Sequence, residues 1–226
     1  EEGAFIGPAV PPGILYIRLH PAHDPLRALR RQDDLMDQIQ SVCKHYVTSE
    51  FVISSFEQLM RDLNTVNYKS IAHVIFLTHG SPHGLQVGSN ESLHDSGPSF
   101  DMFVTQLKRL LMPRASVLLT ACLVGKYNGS NENTPSALFS IANDPSARCF
   151  ANTLATRLGY NHEVYSTSRV QVAGELQLME RTERQDKGAC DVSNYKPYSL
   201  AYISSKQSMQ VFSTDKTKAA WTARVF

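Results

Sequence analysis

"HVIFLTHGSPHG", residues 73–84, decides the fold: an apolar run ends at a polar histidine, His79, and Gly80 follows directly. A second stretch, "SVLLTACLVG" at 116–125, has the same form and leads to Cys122. Short apolar runs of this kind, enriched in β-branched and aromatic residues, are typical of strands buried on both faces. Each predicted strand therefore delivers one reactive side chain at its carboxyl end.

Strand-like and helix-like segments alternate along the rest of the chain. A predicted strand at 13–20 precedes Asp24 and Pro25, a capping residue and a proline at the first position of a helix that ends near Tyr46. Further predicted elements are a strand at 50–55, a helix capped by Ser55 and Gln58, a hairpin over 84–90, a helix capped by Ser99 and ended by Pro113, a helix from Asp144–Pro145 to Gly159, a strand at 162–168 and later hairpins. This order predicts an α/β fold with a mostly parallel central sheet flanked by helices, with extra hairpins.

Composition sets the remaining limits. With 226 residues and 42% hydrophobic content, the chain is expected to form a single domain over 1–226. Its 22 basic and 21 acidic side chains give a net charge of +1, which supplies no electrostatic footprint for nucleic acid or a membrane surface. No apolar stretch reaches the roughly 18 residues that a membrane span needs. The sequence predicts a soluble protein, and its start at Glu-Glu-Gly rather than Met predicts a fragment of something longer.

The four cysteines carry no regular spacing. Cys43, Cys122, Cys149 and Cys190 form no CxxC pair, so neither a disulfide framework nor a zinc site is predicted, and a reducing, cytosolic compartment is favoured. No metal is predicted at the His79–His83 spacing either, because glycine and proline between them break a helix. The chain lacks GxSxG, Walker and GxGxxG motifs, which argues against serine hydrolases, P-loop enzymes and dinucleotide enzymes.

His79 and Cys122 are the candidate catalytic residues. A right-handed crossover makes their strands neighbours, and ligands of parallel sheets bind beyond the carboxyl ends of the strands. A thiol needs a base or a lowered pKa to become a nucleophile, and a nearby imidazole supplies either. A backbone amide at Gly80, beside the nucleophile, would donate to a developing oxyanion.

Apolar residues leading to His79-Gly80, and then apolar residues leading to Ala121-Cys122, resemble the clan CD cysteine peptidases, which include caspases, legumains, gingipains, clostripain and toxin self-processing domains. The resemblance implies a caspase-like three-layer sandwich and cleavage of a protein or peptide substrate through a thioester, with no required cofactor. It also implies that His79 is the base and acid, that Cys122 is the nucleophile, and that the amides of Gly80 and Cys122 form the oxyanion hole.

The residues around the cysteine indicate which branch of the family the sequence resembles. "ACLVG" is similar to clostripain-like enzymes, but Thr120 stands where those carry an aspartate, so specificity for basic side chains is not implied. The layout after Cys122 looks more like the toxin self-processing domains, which implies an effector or toxin protease acting in a host cytosol. That branch is activated by inositol hexakisphosphate. A solvated basic face is the favoured explanation of the basic residues available for such a site, which are Arg169, Arg181, Arg184, Lys187 and Lys206.

Three further features remain open in the sequence. The polar loop at 126–144 is long enough to be a site of self-cleavage. Thr120, Ser166 and Arg169 lie where clan CD enzymes build the substrate pocket, although ordinary polarity at strand ends explains them too. An Arg169 side chain in that pocket would favour an acidic substrate residue. The alternatives to a peptidase are a catalytically silent caspase-fold binding module and acyl transfer to an acceptor other than water.

Overall fold

A computed structural model describes residues 11–27, 29, 36–37, 46–121, 124, 149–159, 162–166, 176–180, 200–204 and 210–212. The strands are β1 (Gly13–Leu19), β2 (Val47–Ile53), β3 (Ile71–Leu77), β4 (Gly80–Ser81), β5 (Gly84–Gly88), β6 (Glu91–His94), β7 (Leu111–Thr120), β8 (Glu163–Ser166), β9 (Leu176–Glu180), β10 (Leu200–Ser204) and β11 (Gln210–Phe212). The helices are α1 (Phe56–Asn64), α2 (Pro98–Leu110) and α3 (Phe150–Leu158).

Six of these strands form one sheet in the order β11-β8-β7-β3-β1-β2. β2, β1, β3, β7 and β8 run parallel, and β11 pairs antiparallel with β8 at the edge. The predicted α/β fold with a mostly parallel sheet is therefore confirmed. Because β3 lies between β1 and β7, the carboxyl ends of these three strands are adjacent along one edge of the sheet.

The three helices contribute to one hydrophobic core with one face of the sheet. Aromatic rings join the layers: Phe103 meets Phe76 of β3 edge-on at 5.8 Å between ring centroids, and Phe100 meets Phe150 of α3 at 5.7 Å. All four side chains are buried. Full burial of one such side chain stabilises the fold by about 1.5–3 kcal/mol, so this face provides much of the driving force for folding. Apolar residues that alternate onto this face include Leu15, Ile17, Val74, Val117, Leu119 and Val164.

Residues of the opposite face alternate with those of the core face. Ile14, Ile75 and Leu118 are buried there without any exposed surface. The helix predicted from Asp24 and Pro25 to Tyr46 does not start there, because Pro25 and Leu26 form a turn and Arg27 has a φ of +53°. The rest of that segment lies mostly outside the described residues. The third layer of the predicted sandwich therefore stays a prediction.

The start of α1 follows the predicted capping box. Ser55 Oγ accepts a hydrogen bond from the backbone N–H of Gln58 at 3.0 Å, which satisfies one of the free donors at the helix start. The Gln58 side chain returns through Oε1 to the backbone N–H of Ser54, also at 3.0 Å. The prediction is confirmed, with the return bond one residue earlier than the standard box.

The predicted bounds of α2 are wrong at both ends. The helix is capped by Gly97 and starts at Pro98, not after Ser99, because proline has the φ angle that the first helical position needs and Gly97 adopts φ +91°, which disfavours other residues. It ends at Leu110, and β7 begins at the next residue, so that Pro113 lies in the strand.

The predicted hairpin is confirmed as part of a small antiparallel sheet, β4-β5-β6, that follows the end of β3. It folds back on the strand end: His79 O accepts a hydrogen bond from Gln86 N at 2.9 Å, and Thr78 Oγ1 donates to Gln86 O. Gly88 passes so close to Ser54 that a Cβ would lie 2.4 Å from the Ser54 carbonyl oxygen. The hairpin is thus seated against the edge of the sheet where His79 lies.

Candidate active site

His79 follows β3, and its imidazole is paired with a carboxylate. Nε2 lies 2.8 Å from Oδ1 of Asp24, and the His79 side chain is 34% exposed while Asp24 is 5% exposed. Asp24 comes directly after the short 3-10 helix Pro21–His23 that follows β1. The contact forms because β1 and β3 are parallel neighbours, which brings the segments after both strands to one edge.

The Asp24 carboxylate is held at both oxygens. Oδ2 accepts a hydrogen bond from the backbone N–H of Leu29 at 2.9 Å, while Oδ1 takes the His79 contact. A buried carboxylate is tolerated when it is paired in this way. Since a carboxylate only accepts, the network assigns the proton of a neutral His79 to Nε2 and leaves Nδ1 as the acceptor.

Cys122 lies outside the described residues, but the chain on either side of it is described at Ala121 and Val124. β3 and β7 are paired in register from His73–Ser116 to Leu77–Thr120. His79 and Cys122 each come two residues after this last pair. The two candidate residues therefore follow the last paired residues of β3 and β7 at the same distance along the chain.

The first turn of α3 ties together the segments that follow His79 and Cys122. Phe150 N donates to the carbonyl oxygen of Pro82 at 2.7 Å, and Ala151 N donates to the carbonyl oxygen of Val124 at 3.0 Å. The first N–H groups of a helix have no partner within it, and consecutive residues rise by only about 1.5 Å. One helix end therefore holds both carbonyls at neighbouring positions.

Thr120 and Ser166, two of the predicted pocket residues, lie at the carboxyl ends of the neighbouring strands β7 and β8 and are buried. Neither hydroxyl has a hydrogen-bond partner within the described residues. Leu118 of β7 pairs with Tyr165 of β8, so these two side chains share a face of the sheet. Thr120 comes two residues after Leu118 and returns to that face, whereas Ser166 comes one residue after Tyr165 and points to the opposite face. The structure thus does not bring Thr120 and Ser166 together on one face.

Gly80, predicted as an oxyanion donor, starts β4 and pairs with Leu85 of β5. It is not one of the glycines with a positive φ. Its proposed oxyanion contact stays a prediction. Several other predicted features lie outside the described residues, namely the loop at 126–144, Arg169, Arg181, Arg184, Lys187 and Lys206.

A cavity of about 400 Å³ opens beside His79, on the side of β1. We call it the β1-side cavity. Its walls come from three segments: the turn after β1, the end of β3, and the β5–β6 hairpin. The lining residues are Ala22, His23, Asp24, Pro25, Leu26, His79, Gln86, Ser89 and Asn90.

Sequence reasoning missed two parts of this site. The sequence predicts Asp24 as a helix cap only, although its place after a predicted parallel strand is a usable signal that it shares an edge with His79. The cavity left no signal in the sequence, because its walls are far apart in the chain. In both cases the missing information is which strands are neighbours.

Three further observations concern the described residues. Burial raises the pKa of the Cys149 thiol to about 12, so this cysteine stays a neutral thiol and caps α3 through a contact between Asn152 N and Sγ at 3.4 Å. Over the described ranges, no three His, Cys, Asp or Glu residues are grouped in a way that would hold a metal ion. The helices described are all too short or too polar to span a membrane.

No protein-family model and no curated protein matches this sequence.

Proposed function

We propose that this protein is a cysteine endopeptidase of the clan CD type, in which Asp24, His79 and Cys122 act together at the carboxyl edge of the parallel sheet. The observation that carries the proposal is the 2.8 Å contact between His79 Nε2 and the buried Asp24 carboxylate. A histidine held by a carboxylate on one nitrogen and left as an acceptor on the other is the arrangement that activates a nucleophile.

The strand order supports Cys122 as that nucleophile. β3 lies between β1, which leads to Asp24, and β7, which leads to Cys122. The two ring nitrogens of an imidazole point in roughly opposite directions, so with Nε2 engaged on the β1 side, Nδ1 is available on the β7 side. Counted from the last described pair, Leu77–Thr120, His79 and Cys122 are each two residues further along the chain, which supports Cys122 as the partner of His79.

The α3 contacts supply a second line of support. One helix end binds the carbonyl of Pro82, three residues after His79, and that of Val124, two residues after Cys122. Both segments turn toward the same point after leaving their strands. The convergence of the segments that follow His79 and Cys122 therefore supports a pair of thiol and imidazole within reach of each other.

The reaction follows from these roles. Cys122 Sγ–H transfers its proton to His79 Nδ1, and the thiolate attacks the carbonyl carbon of the peptide. The amides of Gly80 and Cys122 donate to the oxyanion. The C–N bond then breaks, the leaving amine takes the proton from Nδ1, and a thioester remains. Water, deprotonated by His79, attacks the thioester and releases the carboxylic acid and the free thiol.

Asp24 acts as a positioning residue through His79. Its carboxylate keeps the neutral ring protonated at Nε2 and stabilises the imidazolium that forms when Cys122 gives up its proton. Its own orientation is fixed by the Leu29 N–H, so the ring does not need to be ordered during the reaction.

The first test is labelling with a set of thiol-reactive peptide probes, followed by mass spectrometry. We expect modification at Cys122 that is lost in His79→Ala and in Cys122→Ala. His83→Ala is the matched control, because it removes a second histidine–carboxylate pair, His83 with Asp95 at 2.9 Å, that has no role in the proposed mechanism. Failure of every probe to label folded protein would favour the binding module.

The second test is a peptide library with product analysis. Hydrolysis products support the peptidase, and coupled products show transfer to another acceptor. Addition of inositol hexakisphosphate tests the activator that the resemblance implies. A higher rate of Cys122 labelling supports inositol hexakisphosphate as an activator. An unchanged rate in an enzyme that is already active excludes it.

A further inference from the structure

We propose that the β1-side cavity is the subsite for the substrate residue that follows the scissile bond, and that it takes a neutral, hydrogen-bonding side chain. This proposal rests on the proposed function, because it uses His79 as the acid that protonates the leaving amine.

The position of the cavity assigns it to the leaving half of the substrate. His79 lines the cavity, and the other walls come from the segment after β1 and from the β5–β6 hairpin. Cys122 follows β7, on the other side of β3. In peptide cleavage the acyl half stays on the nucleophile while the amine half meets the acid. The half that leaves therefore extends past His79 to the β1 side.

The lining indicates the chemistry of the occupant. Ser89 and Asn90 contribute a hydroxyl and an amide from the hairpin tip. Among the described lining residues, the only acidic group is Asp24, and both of its oxygens already accept hydrogen bonds. A basic substrate side chain would lose its hydration without gaining an unengaged carboxylate there, and an acidic one would lie beside the Asp24 carboxylate. A neutral side chain that donates and accepts hydrogen bonds fits better.

Two walls of the cavity are fixed before any ligand binds. Gln86 Nε2 donates to His23 O at 3.3 Å and to Gly88 O at 3.0 Å, which ties the hairpin to the turn after β1. The volume of about 400 Å³ is within the range of about 300–1,000 Å³ that is usual for ligand pockets. At the rim, Leu26 is 89% exposed and offers an apolar contact to the next substrate residue.

The experiment compares two substrates that share the residues before the scissile bond, as found in the library. One ends in a coumarin amide, and the other is an internally quenched peptide extended by each amino acid in turn. The measured quantity is the ratio of kcat/KM for the extended peptide to that for the coumarin amide. Asn90→Gly and Leu26→Ser remove cavity contacts, and glycine suits the φ of +52° at Asn90. Met102→Ser is the control, an exposed apolar residue on α2.

We expect the wild-type ratio to be highest for asparagine, glutamine or serine after the bond. Asn90→Gly should lower this ratio by about 10-fold, the usual effect of one lost pocket contact, and Met102→Ser should leave it unchanged. If the coumarin amide is cleaved but neither cavity variant changes the ratio, or if acidic or basic residues are preferred, this inference is wrong and the peptidase stands. If neither substrate is cleaved and Cys122 is not labelled, the proposed function fails and the subsite with it.

Discussion

Replacing Asp24 by asparagine tests the proposed mechanism at its centre, because the change keeps the shape of the side chain and removes one acceptor. The two carboxylate oxygens accept from different donors, His79 Nε2–H and Leu29 N–H. Asparagine has one oxygen and one NH2 group for these two places. If the NH2 group faces His79, the ring must carry its proton on Nδ1 and loses the acceptor that receives the Cys122 proton.

The other orientation of the new amide also has a cost. If the NH2 group faces Leu29, two donors oppose each other in a buried place, which costs about 1–3 kcal/mol. The lost charge-assisted hydrogen bond to His79 alone is worth about 1.5–3 kcal/mol, or roughly 10- to 150-fold in rate. The wrong tautomer adds to this, and the same exchange costs about 10⁴-fold in a serine triad. We therefore expect kcat/KM to fall by about 10²- to 10⁴-fold.

The assay is peptide hydrolysis together with the rate of Cys122 alkylation. In Asp24→Asn we expect slower alkylation, because a ring that carries its proton on Nδ1 cannot accept the Cys122 proton. Asp95→Asn, at the His83 pair, is the matched control and should change kcat/KM by less than about 3-fold. A folded Asp24→Asn protein with activity within about 3-fold of wild type would refute the positioning role.

Three predictions concern stability. Burial raises the folded-state pKa of Cys149 to about 12, above that of an unfolded thiol, so the free energy of unfolding keeps its full contribution from the neutral thiol below about pH 8.5 and loses it as pH rises toward 12. Denaturant unfolding of Cys149→Ser should lack this loss. A parallel loss in both proteins would contradict the prediction. Gly88→Ala should lower the free energy of unfolding by about 1–3 kcal/mol, because the added Cβ would lie 2.4 Å from the Ser54 backbone. Gly84→Ala is the control and should cost less, because the nearest atom to its added Cβ is 3.3 Å away. Equal losses in the two variants would count against the close approach at Gly88. Arg109→Met should lower the free energy of unfolding by about 1–3 kcal/mol, because Arg109 donates to the carbonyls of Leu63, in the last turn of α1, and of Val66, just after it. An unchanged unfolding midpoint would show that water replaces these hydrogen bonds.

Local sequence features predicted the elements that shape the site. The apolar runs before His79 and Cys122 predicted β3 and β7, since a strand buried on both faces needs apolar residues at successive positions. The turn residues after His79 predicted the hairpin, and Ser55 with Gln58 predicted the start of α1. The start of α2 was wrong because Ser99 and Pro98 both suit a helix start and the φ angle of Gly97 decided between them.

By itself, the sequence determined the α/β class and the polar residue types at the strand ends, because periodicity and turn chemistry act between residues close in the chain. Only the tertiary structure decided that Asp24 meets His79, 55 residues away, that Thr120 and Ser166 face opposite sides, and that three separate segments enclose the β1-side cavity. These features depend on which strands become neighbours and in which register. That choice is made by the packing of the whole core, which no single segment encodes.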